Sequence, residues 1–178
     1  MALDVDPLEI SGSFQRHVPA GGDPRWRPAE GDAPDNRWQR GEVVDALYLS
    51  DSDATMWSEW FRWLAEAGIP PQESLPRDIW RFEVQITVAN LSDADRLARV
   101  GLGLPRPGRT TWPPYQAAGE QLAAEGWAGL LVPSAARLSE GLNLVVFLPE
   151  RVIPDNVSPI PPPITVAEVP PPPRGMKT

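Results

Sequence analysis

At 178 residues, with 42% hydrophobic and 22% charged side chains, the chain has the make-up of one globular domain with a core of ordinary size. It has no cysteine, which excludes a disulfide framework, a thiolate metal site and a thiol nucleophile; its formal net charge of −8 argues against a nucleic-acid partner, because phosphate backbones bind basic surfaces. The opening MALDVDPLEISG has no basic or apolar leader pattern and no apolar run approaches about 18 residues, so a soluble, cytoplasmic protein without a membrane segment is expected.

In chain order, residues 1–12 read as an acidic lead-in with little structure, and Ser13 to Val18 as a first strand. Arg16 and His17 on that strand are either a surface pair or an anion clamp with a histidine beside it. From Pro19 to Gln39 runs a loop with Trp26 and Trp38 set among Arg25, Arg27, Arg37 and Arg40. Its tryptophans either stack with arginine for local order or form a flap over a ligand.

Residues 46–64, ALYLSDSDATMWSEWFRWL, organise the rest: a β-favouring run, a polar turn and an amphipathic helix. Ser50 and Asp53 have the spacing of an N-terminal capping pair. At about 100° per residue, Trp57, Trp60, Phe61 and Leu64 share an apolar face, whereas Glu59 lies round the helix near Met56 and Trp63. That places a carboxylate at the edge of an aromatic surface, following Tyr48 on the preceding strand. Gly68 and Pro70 then stop the helix.

Alternation predicts a strand over 78–88, and Ser92 with Asp95 a short capped helix over 92–100. GLGLPRPG is not a phosphate loop, since prolines follow its glycines and no helix opens there. A helix is expected over 113–126, and strands over 127–132 and 142–148, the latter apolar enough to be covered on both faces. Ser134 falls at a strand end, where a turn residue is the ordinary reading; with one histidine in the chain, no Ser-His-Asp arrangement is arguable. No His, Cys or carboxylate spacing suggests a metal. Nine of the 23 prolines fall at Pro154, Pro159, Pro161 to Pro163 and Pro170 to Pro173. Residues 153–178 therefore read as a proline-rich tail, flexible or docked, with two rival readings: a ligand for an aromatic groove, or an edge strand formed by ITVAEV.

Taken together, FQRH, NRW, ALYLSDSDATMWSEW, YQAAG and GLLVPSAARLSEGLNLVVF occur in an order that resembles the RES domain family, over roughly residues 13–150. The resemblance implies an α+β fold related to ADP-ribosyltransferases, with a split, mostly antiparallel β core and flanking helices, in a domain spanning 13–152. It also implies a toxin of a toxin–antitoxin pair that consumes NAD as substrate, needs no cofactor, and is held by a cognate antitoxin. The family's Arg, Glu and Ser motif residues would be Arg16, Glu59 and Ser134. Arg16 would grip the pyrophosphate, Tyr48 frame the nicotinamide, Glu59 hold the ribose and stabilise the oxocarbenium-like charge, and Ser134 hydrogen-bond the nicotinamide or ribose. Arg37 and Asn143 would support these contacts, and His17 stands where some members carry tyrosine. The tail lies outside the family pattern. Water or phosphate would accept the ADP-ribosyl group; the rival readings are ADP-ribosyl transfer to a protein or nucleotide target, and a non-enzymatic binding module acting through its proline-rich tail.

Overall fold

The structure, a computed structural model, describes residues 2–25 and 33–176. Among the described residues, six strands and three α-helices build a mixed α/β fold around one mostly antiparallel sheet. The strands are β1 (Asp6–Pro19), β2 (Ala46–Ser50), β3 (Arg77–Asn90), β4 (Gly129–Pro133), β5 (Leu142–Phe147) and β6 (Val157–Val166). The helices are α1 (Asp53–Ala67), α2 (Ala94–Arg99) and α3 (Pro113–Ala124).

The lead-in expected over 1–12 is largely strand. β1 begins at Asp6 and pairs antiparallel with β3 along its whole length, from Asp6↔Asn90 to Pro19↔Arg77. Pro7 and Gly12 weaken its local strand signal, and the long partner β3 overrides them. Arg99, at the end of α2, anchors the segment through ion pairs to Asp4 and Asp6.

Strand order β1-β2-β5-β4-β3-β6, with the further β1–β3 pairing, closes β1 to β5 into a ring and leaves β6 at an edge beside β3. Two joints in this ring are thin. β1 meets β2 through Gln15↔Ser50 alone, and β3 meets β4, in parallel, through Ala89↔Leu130 and Asn90↔Leu131. By contrast β2 and β4 both pair fully with β5. β1 and β2 thus diverge beside Arg16, and the cleft opens there.

β5 is covered on both faces, as its apolar run predicts. Leu144 and Val146 join Leu47, Leu49, Phe82 and Val88 in one cluster, while Val145 and Phe147 join Trp38, Tyr115 and Leu122 in another beneath α3. A third cluster, Met56, Trp57, Trp60, Leu64 and Ile79, seats α1. Helix starts fall slightly later than the spacing suggests. Ser52 caps α1 by accepting from the Thr55 amide (3.2 Å), and Asp93 caps α2 by accepting from the Arg96 amide (2.9 Å). Gly68 closes α1 in the left-handed region, φ 67°.

The proline-rich tail contributes β6, antiparallel to β3 with a register shift between Ile79 and Arg81. Pro159 and Pro161 to Pro163 are tolerated because this is an edge strand, where a missing N–H breaks no ladder to a further strand. Val157 is buried, and the Thr165 hydroxyl donates to Asp78 Oδ1 (2.6 Å). The edge-strand reading of ITVAEV is the one the fold adopts, in a strand that begins earlier and ends at Val166.

Candidate active site

α1 presents Glu59 to the strand ends where the sheet is thinnest. Its Oε1 accepts from the Ser134 hydroxyl (2.6 Å) and from Asn143 Nδ2 (3.0 Å); its Oε2 accepts from Arg62 Nη2 (2.8 Å) and Nε (3.1 Å). Burial pushes this carboxyl up, but the Arg62 charge and the hydrogen bonds from Ser134, Arg62 and Asn143 outweigh it and hold the group below the ordinary glutamate value. Glu59 is therefore a carboxylate at neutral pH.

Each partner is itself held. Asn143 stands opposite Ser50 in the β2–β5 ladder and accepts the Ser50 hydroxyl at Oδ1 (3.0 Å). Ser134, one residue past β4, is fully buried, and its Oγ accepts from the amides of Ala136 (3.2 Å) and Arg137 (3.1 Å) while donating to Glu59. The Ser134 hydroxyl is thus committed on all sides and lies behind the carboxylate rather than on the cleft wall. The 135–141 loop is pinned to the start of α1: a Cβ on Gly141 would come within 2.6 Å of Thr55 Oγ1.

In front of Glu59 lies a two-lobed cleft. The first lobe, about 260 Å³, is lined by Glu59, Asn143, Arg37, Tyr48, Met56 and Trp60 among others. The second, about 450 Å³, adds Arg25, Arg77, Arg109, Asp35, Asp45 and Glu66. Arg16, His17, Tyr48, Arg62, Trp63 and Trp112 border both. Six arginines face four carboxylates across the two lobes, so an acidic chain has gathered positive charge in an aromatic-walled cleft. That suits an anionic ligand with a planar portion to stack.

Tyr48 and Arg37 reach the cleft already engaged. The Tyr48 hydroxyl donates to Gln39 Oε1 (2.6 Å) and accepts from the Trp38 amide (3.2 Å), and burial drives its pKa up, so it is a neutral phenol that offers its ring. Arg37 is buried, donates to Thr111 Oγ1 (3.1 Å) and to the Arg106 carbonyl (2.6 Å), and sits 5.3 Å from the Tyr115 ring centre. Trp38 is a core residue edge-on to Tyr115, so it is no flap; Trp26 and Arg27 lie outside the described residues. The backbone here is pressed against α3, where a Cβ on Gly119 would overlap the Trp38 carbonyl.

Nor are Arg16 and His17 a surface pair. His17 stacks on Trp57 (5.7 Å, 2°) and accepts at Nδ1 from Arg77 Nη2 (2.7 Å) and Nε (3.2 Å). Since arginine only donates, the ring proton resides on Nε2. Burial, with the Arg77 and Arg16 charges, depresses its pKa well below the usual histidine value. Among the described residues no group of three or more His, Asp or Glu side chains is placed to hold a metal ion, and no helix is long and apolar enough to cross a membrane.

Residues 14–163 match the RES domain family. The chain belongs to the RES domain family. Its fold is also that of a solved structure, the crystal structure of the M. tuberculosis MbcT–MbcA toxin–antitoxin complex: TM-score 0.70 at 22% identity, covering 90% of this chain and 86% of that one. No curated protein sequence matches the chain. The RES match runs past the expected boundary at 152 into β6, consistent with that strand's place in the sheet. Within this RES domain the structure gathers all seven expected residues: Arg16, His17, Arg37, Tyr48, Glu59 and Asn143 line the cleft, and Ser134 supports Glu59 from behind. Arg62, Arg77 and Trp112 were not anticipated. Arg62 alone had a readable signal, its i+3 spacing from Glu59 on one helix.

Proposed function

We propose that this RES domain cleaves the nicotinamide glycosidic bond of NAD, acting in the cytoplasm as the toxin of a toxin–antitoxin pair. The observation that carries this reading is an ionised glutamate, fixed by Ser134 and Asn143, at the floor of an arginine-rich, aromatic-walled cleft. As the bond from ribose C1′ to the pyridinium nitrogen breaks, its electron pair goes to the nitrogen and neutral nicotinamide leaves. Positive charge develops on the ribose, and the Glu59 carboxylate, preorganised beside it, stabilises that charge. Water then bonds C1′ through its oxygen and sheds a proton, giving ADP-ribose, or an unprotonated phosphate oxygen bonds it directly, giving the 1″-phosphate. Arg16 supplies a guanidinium fork for the diphosphate, and the Tyr48 ring frames the nicotinamide.

Convergence of Arg16, Tyr48 and Glu59 on one cleft supports an enzyme over an inert binding module. Pro159, paired with Phe82 in the sheet, is not free to serve as a groove ligand. The resemblance to MbcT, solved with MbcA, supports a cognate antitoxin as partner. The reading is tested by expressing the chain alone in bacteria. Growth should arrest as cellular NAD falls, and coexpression of the antitoxin should restore both; unimpaired growth with accumulating protein and unchanged NAD would contradict it.

A further inference from the structure

The Glu59 carboxylate has no acceptor position to spare. A carboxylate oxygen offers about two in-plane acceptor positions, and here Ser134 and Asn143 occupy those of Oε1 while Arg62 takes both on Oε2. Ribose hydroxyls must displace one of these donors. Ser134 and Asn143 are braced from behind, by the Ala136 and Arg137 amides and by Ser50. Arg62 is braced differently. Its Nη1 donates to Glu66 Oε1 (2.6 Å), and its side chain borders both lobes, whereas Glu59 lines only the first and Glu66 only the second. Because the guanidinium stands at the junction of the two lobes, side-chain rotation can carry it from Oε2 to an anion without moving α1.

We propose that Arg62 is a substrate-operated latch that caps Glu59 and passes to the dinucleotide's diphosphate on binding. The inference rests on the NAD reading above. Transfer of the guanidinium frees Oε2 for the ribose and withdraws a cation from beside the positively charged nicotinamide ring. It makes Arg62 a specificity determinant: nicotinamide riboside carries the scissile bond and the ring charge, but has no phosphate to pull Arg62 away.

The test compares NAD with nicotinamide riboside on the purified full chain, for wild type and Arg62→Met, which keeps the apolar stem. Wild type should cleave NAD far better, and inorganic pyrophosphate added in trans should raise its riboside cleavage. In Arg62→Met, kcat/KM for NAD should fall and that for the riboside rise, each by roughly tenfold, the size of one charge-assisted hydrogen bond; pyrophosphate should do nothing. If Arg62→Met does not fold, Arg62→Lys carries the test, shifting the ratio in the same direction by less, since one ammonium cannot fill both positions on Oε2. Equal loss on both substrates, with wild type still cleaving NAD, would reduce Arg62 to a brace for Glu59 and overturn the latch alone. A wild type that cleaves neither substrate overturns the NAD reading and the latch with it.

Discussion

Replacing Ser134 with alanine separates a positioning hydroxyl from a reacting one. The hydroxyl makes three contacts, donating to Glu59 and accepting from the Ala136 and Arg137 amides. The Arg137 amide keeps a second acceptor in the Ser134 carbonyl (3.3 Å), but the Ala136 amide is left buried and unsatisfied. Losing a hydrogen bond to a charged group costs about 1.5–3 kcal/mol, and an orphaned buried donor about 1–3 kcal/mol more. A total of roughly 2.5–6 kcal/mol lowers the melting temperature of a chain this size by at least about 5 °C, measurable by calorimetry. Glu59 retains Asn143 and Arg62, so nicotinamide release should fall only about 10- to 100-fold, well short of the roughly 10⁶-fold loss expected on removing a nucleophile. The lost bond favoured the ionised carboxylate, so the acid limb of the rate profile should move to higher pH. Wild-type melting and wild-type kcat in Ser134→Ala would refute the positioning role, as would loss of all activity with a trapped covalent adduct on the wild-type serine.

Other consequences are open to measurement. His17 titrates below its unfolded value of 6.5, so the unfolded chain binds the proton more readily. The stability this contributes is full above about 6.5 and is lost as pH falls from there toward the lower folded value. Denaturant titrations should show that decline in wild type, and His17→Asn should flatten it; identical slopes would contradict the buried neutral imidazole. Gly119→Ala, helix-favouring by about 1 kcal/mol on propensity alone, should instead destabilise by roughly 1–3 kcal/mol, because its Cβ collides with the Trp38 carbonyl. A stabilised variant would show that α3 and the 36–40 loop are not in contact.

Much of α1 was readable because its signals are local. The stripe of Trp57, Trp60 and Leu64 is buried, with Phe61 at its margin, and Glu59 sits off that stripe, as helical geometry requires. The cap moved from Ser50 to Ser52 because four consecutive residues, Ser50 to Asp53, have nearly equal capping chemistry. β-pairing broke the tie by committing the Ser50 hydroxyl to Asn143. What local reading missed was non-local. The first half of β1 and the 157–163 part of β6 exist because β3 is long enough to template both, against the preferences of Pro7, Gly12 and the tail prolines. Likewise the proximity of Ser134 to Glu59, 75 residues apart, is a product of topology, and no spacing rule reports it.

The central claim is the role of Glu59 in breaking the glycosidic bond, and proton NMR of nicotinamide released from NAD by purified wild type and Glu59→Gln, with and without phosphate, tests it most directly. Glutamine preserves shape but removes the charge, so release should fall by about 10²–10³-fold while the fold is retained. Phosphate dependence of the wild-type product would identify the acceptor. Equal nicotinamide release by wild type and Glu59→Gln would contradict the account.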